Sequence, residues 1–355
     1  MNIVALGTMS GTSLDGIDLA LCRISDTGKA WSYEIIEAQT ISYPSVWIGK
    51  LRNAPHLNAE EFLLLHNEYG RYTGELIHEF LRGKEAPQLI ASHGHTIFHQ
   101  PENKFTFQIG NGASIAATTG ITTICDFRNY DVALGGQGAP LVPTGDQLLF
   151  PEYDYCLNIG GFANISFDHD GSRIAFDTCP ANIVLNELAL RKGFAYDKDG
   201  RMGTSGTISE PLLQKLNNLD FYHQKWPKSL GREWSENQIM PLLSASGLSV
   251  EDQAATIYEH IAFQISNVIG NNGRLLATGG GSKNRFLIEQ LKRKTACEVV
   301  LPDEKLIDFK EALIFAFLGV LAFNGHINVL SSVTGAKQDH IGGIIYNIGA
   351  MRDRG

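Results

Sequence analysis

The stretch Gly7-Thr8-Met9-Ser10-Gly11-Thr12-Ser13-Leu14-Asp15-Gly16-Ile17-Asp18 concentrates chemistry that an ordinary turn does not need. It joins two apolar runs, Ile3–Leu6 and Ile17–Ile24, each short and β-branched enough to predict a strand. Its glycines let a ligand approach the backbone, and its N–H groups and hydroxyls suit phosphate oxygens. The cradle is assigned to Gly11, Thr12, Ser13, Leu14, Asp15, Gly16, Ile17 and Asp18. Phosphate and carboxylate repel each other unless a cation separates them, so Asp15 points to Mg²⁺, held through water. Asp18 either shares that role or serves only the strand pairing. A Gly/Ser/Thr/Asp-rich segment between strands is also the composition of a plain turn, although this one is longer than a hairpin requires.

Two later segments match it. Leu157–Ser166 repeats the plan of strand, glycine-polar turn and strand, with Asn158, Gly160 and Gly161 at the turn. Leu275–Thr278 then leads through Gly279, Gly280, Gly281 and Ser282 into a helix from Lys283, which aims helix N–H groups at a ligand. The Walker A pattern fails, because Ile17 and Asp18 stand where lysine and a hydroxyl residue belong. The Rossmann fingerprint fails at Ser282-Lys283-Asn284, and the protein-kinase set is absent. What remains is a nucleotide fold with two phosphate hairpins and a late glycine turn for adenosine, the plan of the actin-like ATPase and sugar-kinase superfamily.

These groups need a scaffold, and the chain is long enough for one. Its 355 residues suit two domains, divided near Gly135–Pro140 into 1–140 and 141–355. Helices are predicted over Ala59–Arg82, Ala113–Thr119, Ala181–Lys192, Ser209–Leu216, Val250–Ile269, Asn284–Arg293 and the apolar run Ala312–Phe323. Strands are predicted at Gln88–Ala91, Thr122–Cys125, Tyr155–Ile159, Asn164–Phe167, Arg173–Phe176, Leu275–Thr278 and Glu298–Leu301. Helices and strands alternate, but antiparallel hairpins open each half, so the class is α/β with mixed sheets. A net charge of −9 argues against a nucleic-acid groove. The longest apolar run is too short to span a bilayer, and no signal segment is visible at the N-terminus. Five scattered cysteines, never in a CxxC spacing, fit a reducing cytoplasm.

The motifs MSGTSLDGID, SHGHTIFHQP, FQIGNGASIA, DFRNYDVALGGQGAPLVP, LNIGGFANIS, PKSLGRE and ATGGGSKN, in that order, resemble the anhydro-N-acetylmuramic acid kinase family over nearly the whole chain. The resemblance implies two actin-like (ribonuclease H-like) domains with mixed sheets flanked by helices and an inter-domain cleft. It implies a cytoplasmic, homodimeric enzyme of peptidoglycan recycling. Such an enzyme uses ATP, Mg²⁺ and water to open a 1,6-anhydro amino sugar and yield N-acetylmuramic acid 6-phosphate. The family's catalytic base is the Asp of Phe-Asp-x-Gly-Pro-Gly-Asn, matched here by Phe176-Asp177-Thr178-Cys179-Pro180-Ala181-Asn182. Asp177 thereby takes the role of base and Asn182 falls at the substrate. From its position alone, Asp177 reads equally as a helix N-cap.

Arg128, Asp131, His93 and Glu311 are carried over as substrate residues. Arg128 suits a lactyl carboxylate as a bidentate partner, or else makes a surface salt bridge. Glu311 matches a family Glu near the cleft, or else favours a helix N-terminus. His93, His95 and His99 share a spacing open to a transition metal, yet no carboxylate or cysteine completes a site. His93 is read instead as a hydrogen-bonding group for sugar or backbone. Cys179 beside Asp177 lacks a paired histidine and reads as an inert thiol. Cys179, Ala181, His95 and Leu230 depart from the family's usual residues and bear on sugar selectivity. A kinase for another sugar, and a nucleotide-binding regulator without a small-molecule reaction, are the alternative readings.

Overall fold

The computed structural model describes residues 1–11 and 13–347. Thr12, assigned to the phosphate cradle, lies outside the described residues. The chain forms two compact units. One comprises Met1–Leu149 with the chain from Phe309 on, and the other Phe150–Asp308.

The first unit carries β1 (Asn2–Ser10), β2 (Gly16–Asp26), β3 (Trp31–Ser42), β4 (Leu89–Gln100), β5 (Phe105–Ile109) and β6 (Thr122–Cys125). The second carries β7 (Tyr155–Ile159), β8 (Phe162–His169), β9 (Ser172–Pro180), β10 (Arg274–Thr278) and β11 (Glu298–Val300), and β12 (Ile344–Tyr346) belongs again to the first. The first sheet runs β12-β6-β4-β1-β2-β3, with β5 paired to β4. β1 is antiparallel to β2 and parallel to β4, so the sheet is mixed. The second sheet runs β11-β10-β7-β8-β9, with β7 parallel to β10 and antiparallel to β8. The fold class is mixed α/β, two mixed sheets flanked by helices.

Helix Ala59–Phe80 begins at a capping box in which Asn58 accepts from Glu61 N–H and Glu61 returns to Asn58 N–H. Helix Val250–Ser266 starts from a Ser249 cap, and Ile257, Ile261 and Ile265 lie fully within the second core. The edge strand β3 carries no continuous apolar run. Its face is mostly half-exposed, which hides it from hydrophobic patterning.

Two boundaries differ from the sequence reading. The sequence places 141–355 in one domain, whereas the compact units divide after Leu149 and return the chain to the first unit at Phe309. The cause is helix Glu304–Phe323, whose apolar part packs on the first sheet. A Cβ on Gly7 of β1 would lie 1.8 Å from the Ala312 carbonyl, and one on Gly319 would lie 2.5 Å from Ala91 Cβ. The same helix starts at Glu304, so Glu311 stands well inside it and not at its N-terminus. The helix-dipole account of Glu311 therefore fails.

Candidate active site

The hairpin between β1 and β2 is shorter than its composition suggests. Strand pairing continues to Met9 opposite Asp18, and of the described residues only Gly11 and 13–15 lie between the two strands. The glycines of the stretch divide accordingly. A Cβ on Gly7 or Gly16 would strike protein backbone, at 1.8 Å from Ala312 O and 2.4 Å from Ile41 O, so these two serve packing. Gly11 faces open space apart from Ser13 Oγ at 3.3 Å. Ile17 is buried in the core, and the partly buried Leu14 packs against it. Exposed Asp15 accepts from Ser13 Oγ at 2.8 Å, and Asp18 accepts from Thr40 Oγ1 at 2.5 Å.

Beyond the turn, β4 brings His93 and His95 alongside β1. His95 Nδ1 is 2.8 Å from Ser10 Oγ, which also contacts Tyr43 OH at 2.7 Å. Burial pushes His95 down to about 4, so it is neutral. His93 donates from Nδ1 to Gly94 O at 2.9 Å and accepts at Nε2 from Arg128 Nε at 3.0 Å. Burial, reinforced by the Arg128 charge, holds His93 well below its ordinary value, and a neutral ring is what that acceptor role requires. His99 Nδ1 pairs separately with Thr106 Oγ1 at 3.1 Å. The three histidines thus have separate partners, and no cluster of three metal-ligating side chains occurs among the described residues.

Arg128 also donates from Nη1 to Gly138 O at 2.7 Å. Burial pushes its guanidinium down to about 10, while Glu311 and Asp131 hold it charged at neutral pH. Burial pushes Glu311 up, Asp18 adds to the shift, and Arg128 and Lys310 oppose it. Beside Glu311 in sequence, Lys310 forms a buried ion pair with Asp146 at 2.7 Å, a pairing that no sequence pattern announces.

Asp131 departs from the substrate role assigned to it. It is fully buried, with Oδ2 accepting from Gly138 N–H and Oδ1 from Thr334 Oγ1, each at 2.6 Å. A Cβ on Gly136 would lie 2.2 Å from Oδ2, so the carboxylate occupies the space that glycine leaves. Asp131 is a positioning residue: it fixes the turn whose Gly138 carbonyl receives Arg128.

In the second unit, the N-cap account of Asp177 fails. β9 runs on to Pro180, and the next helix, Asn182–Arg191, has Ala181 at its cap with no side-chain bond. Asp177 sits at a β-bulge. It pairs with Asn164, Cys179 pairs with Ala163, and Thr178 is the extra residue. Thr178 Oγ1 donates to Ala163 O at 2.9 Å, which satisfies a carbonyl at the disrupted ladder. The segment after Trp226 covers this edge: Asp177 N–H donates to Lys228 O at 3.2 Å, and Leu230 N–H donates to Asp177 Oδ2 at 2.8 Å. Burial raises the Asp177 carboxyl to about 6, partly countered by the Leu230 N–H. A half-buried carboxylate poised near neutrality is suited to take a proton. Cys179 is fully buried and its thiol is pushed up to about 12, so it is inert.

The glycine turns of this unit also divide. Gly160 and Gly161 accept from Asn182 N–H and Ala181 N–H at 3.2 and 2.8 Å, and Asn182 Nδ2 reaches Ile159 O at 3.4 Å. Asn182 thereby ties the helix to the turn. Neither glycine has a close neighbour where a Cβ would stand, and Gly280 has none within 4 Å. Gly279, at φ +81°, and Gly281 are instead packed against Asn158 and Ile159. Asn158, at the end of β7, pairs with Thr278 and Asn164 and joins the two turns. Open backbone therefore occurs at Gly11 in the first unit and at Gly160, Gly161 and Gly280 in the second, where the lack of a side chain lets a ligand approach the main chain.

A model of the family described as anhydro-N-acetylmuramic acid kinase matches residues 3–348. A protein of that name from Pseudomonas savastanoi pv. phaseolicola is 34% identical over 373 residues, covering 98% of this chain and 100% of the relative. Another from Aliivibrio fischeri is 35% identical over 366 residues, covering 96% and 98%. Among solved structures, the activator of the 2-hydroxyisocaproyl-CoA dehydratase from Clostridium difficile with bound ADPNP is 16% identical, with a TM-score of 0.42 over 91% of this chain and 97% of that one.

Proposed function

The chain belongs to the anhydro-N-acetylmuramic acid kinase family, and from that premise we propose that it opens 1,6-anhydro-N-acetylmuramic acid with ATP and water to give N-acetylmuramic acid 6-phosphate. The observation that carries the mechanism is Asp177, held at a strand bulge with its carboxyl raised to about 6. At pH 7 such a group is mostly ionised yet basic enough to accept a proton.

In this reading Asp177 takes a proton from water as its oxygen bonds to C1 of the sugar. The C1–O6 bond breaks, and O6 bonds to the γ-phosphorus of ATP as the bond to the β-phosphate oxygen breaks. Positioning and charge neutralisation dominate such a transfer. The open backbone at Gly11, Gly160, Gly161 and Gly280 supports the nucleotide assignment. Arg128, oriented through Nε and Nη1, supplies the positive charge for an anionic sugar substituent, and Glu311 lies in its field.

The exposed Asp15 carboxylate and nearby Asp18 fit a magnesium ion, which favours one or two carboxylates with water and phosphate oxygens over a full protein cage. Mg²⁺ supplies neutralisation of the phosphate charge. The role in peptidoglycan recycling belongs to the same reading, as do a cytoplasmic location and a homodimer. Five buried free cysteines support a reducing compartment, and sedimentation analysis tests the dimer.

Incubation with ATP, Mg²⁺ and 1,6-anhydro-N-acetylmuramic acid should yield a 6-phosphorylated, ring-opened product. Intact ATP binding without product would overturn the assignment and favour a different sugar.

A further inference from the structure

The second unit contains a cavity of about 410 Å³ that the proposed reaction does not use. Phe176 and Thr178, the residues on either side of Asp177, line it, but Asp177 does not. Its other walls come from the end of helix Glu210–Asn217, the segment 222–228 and the last part of the helix Val250–Ser266 with the residues after it.

The lining has three kinds of group. Trp226 stacks on Phe176 with centroids 5.7 Å apart and planes 11° from parallel, and Tyr222 and Phe263 add further aromatic surface. Asn217, Asn218, Gln224, Gln264 and Asn267 supply side-chain amides. Lys225 and Lys228 supply positive charge, and among the described residues no carboxylate lines the cavity.

Some of this wall is fixed from behind. His260 donates from Nδ1 to Asn217 Oδ1 at 2.6 Å, Gln264 Nε2 donates to the same oxygen at 3.0 Å, and Tyr222 OH meets His260 Nε2 at 2.8 Å. Lys228 Nζ donates to Phe221 O at 3.1 Å and lies over the Phe221 ring.

Each kind of group selects a ligand feature. Aromatic surface accepts the C–H face of a pyranose. Amides carry donors and acceptors together, which matches hydroxyls that do the same. Lysines without a competing carboxylate favour an anion. The volume falls within the range of small-molecule pockets. We propose that this cavity is a second ligand site, separate from the reacting groups, for a small sugar that carries a phosphate or a carboxylate.

The position gives the site a consequence. Trp226 and Lys228 form its wall, and the same segment holds Asp177 through the Lys228 carbonyl and the Leu230 N–H. A ligand that orders this segment also orders the carboxylate beside it.

Isothermal titration calorimetry on the full chain tests the proposal, with glucose 6-phosphate, glucuronate, glucose and inorganic phosphate as separate probes. At least one charged sugar should bind saturably, about ten-fold or more tighter than glucose or phosphate alone. Which charged sugar binds identifies the anionic group. Lys225 and Asn267 are exposed, so Lys225→Glu and Asn267→Asp leave the fold intact. Each should weaken binding about ten-fold, whereas Arg128→Ala in the first unit should not. Three results would overturn the proposal: no saturable binding of either charged sugar, equal binding of glucose or phosphate, or unaltered binding in both cavity variants.

Discussion

The backbone N–H of Leu230 donates to Oδ2 of Asp177 at 2.8 Å across 53 residues of sequence. Leu230 is a departure from the threonine usual in the resembling motif, yet the group that meets Asp177 is main chain. Leu230→Thr should therefore leave kcat/KM within about two-fold, since surface-type changes away from a used side chain cost little. Leu230→Pro deletes the donor that opposes the upward shift of Asp177, so the acid limb of the pH–rate profile should move above its starting point near 6. A uniform loss at every pH, with no displacement of the limb, would count against this role.

Asp177 also carries a stability cost with a definite sign. Its carboxyl sits at about 6 in the fold against an ordinary 3.8, chiefly through burial. The folded chain thus binds that proton more tightly than the unfolded chain. The stability it contributes is complete below about 3.8 and is lost as pH rises through about 6. Asp177→Asn keeps an acceptor for Leu230 and removes the charge. It should raise stability by about 1–3 kcal/mol at pH 7.5, with the gain gone by pH 4. Turnover should fall by about 10²–10⁴-fold with ATP affinity unchanged. Thermal melts at the two pH values, beside single-turnover assays, check both halves; an active variant removes Asp177 as the base.

Much of the fold was legible because its signals are local. Periodicity marks helix Ala59–Phe80, and short β-branched runs mark β6 and β7 almost to the residue. What escaped depends on contacts distant in sequence. β3 is a half-exposed edge, the first unit recovers the chain at Phe309 through packing on Gly7 and Gly319, and Lys310 meets Asp146. Within the site, residue types were legible but their duties were not. Asp131 resembles a ligand-binding carboxylate and instead spends both oxygens on Gly138 and Thr334. Glycine-rich composition likewise cannot separate a glycine that leaves room for a ligand from one that leaves room for Ile159.

That distinction gives a paired test at Gly280 and Gly281. Gly280 has nothing within 4 Å of where a Cβ would stand, so Gly280→Ala should leave the melting temperature unchanged. If the open backbone there receives the nucleotide, the same methyl should raise KM for ATP by about ten-fold, since lost approach to a flat ligand costs on the order of 1.4 kcal/mol. A Cβ on Gly281 would lie 2.3 Å from Ile159 Cγ2, so Gly281→Ala should cost about 1–3 kcal/mol of stability. Equal stability losses in both variants would refute the division into open and packed glycines.

The pair formed by His93 and Arg128 gives a test for the sugar site that does not involve the base. Arg128 Nε donates to His93 Nε2 at 3.0 Å, and Nη1 donates to Gly138 O at 2.7 Å, so two fixed contacts orient the guanidinium plane. Lysine is a single point charge and reproduces neither the fork nor the plane. Arg128→Lys should raise KM for the sugar by about 10–100-fold while KM for ATP stays within two-fold, as expected when an oriented charge-assisted contact worth about 1.5–3 kcal/mol is lost. His93→Gln offers an amide oxygen where Nε2 accepts and should retain most of the sugar affinity. His93→Leu leaves the Nε donor without its acceptor and should approach the Arg128→Lys value. Neither histidine substitution should shift the pH profile, because burial and the Arg128 charge already keep the native ring neutral. A glutamine variant as impaired as the leucine variant would mean that the imidazole itself, and not its acceptor, is what the site uses.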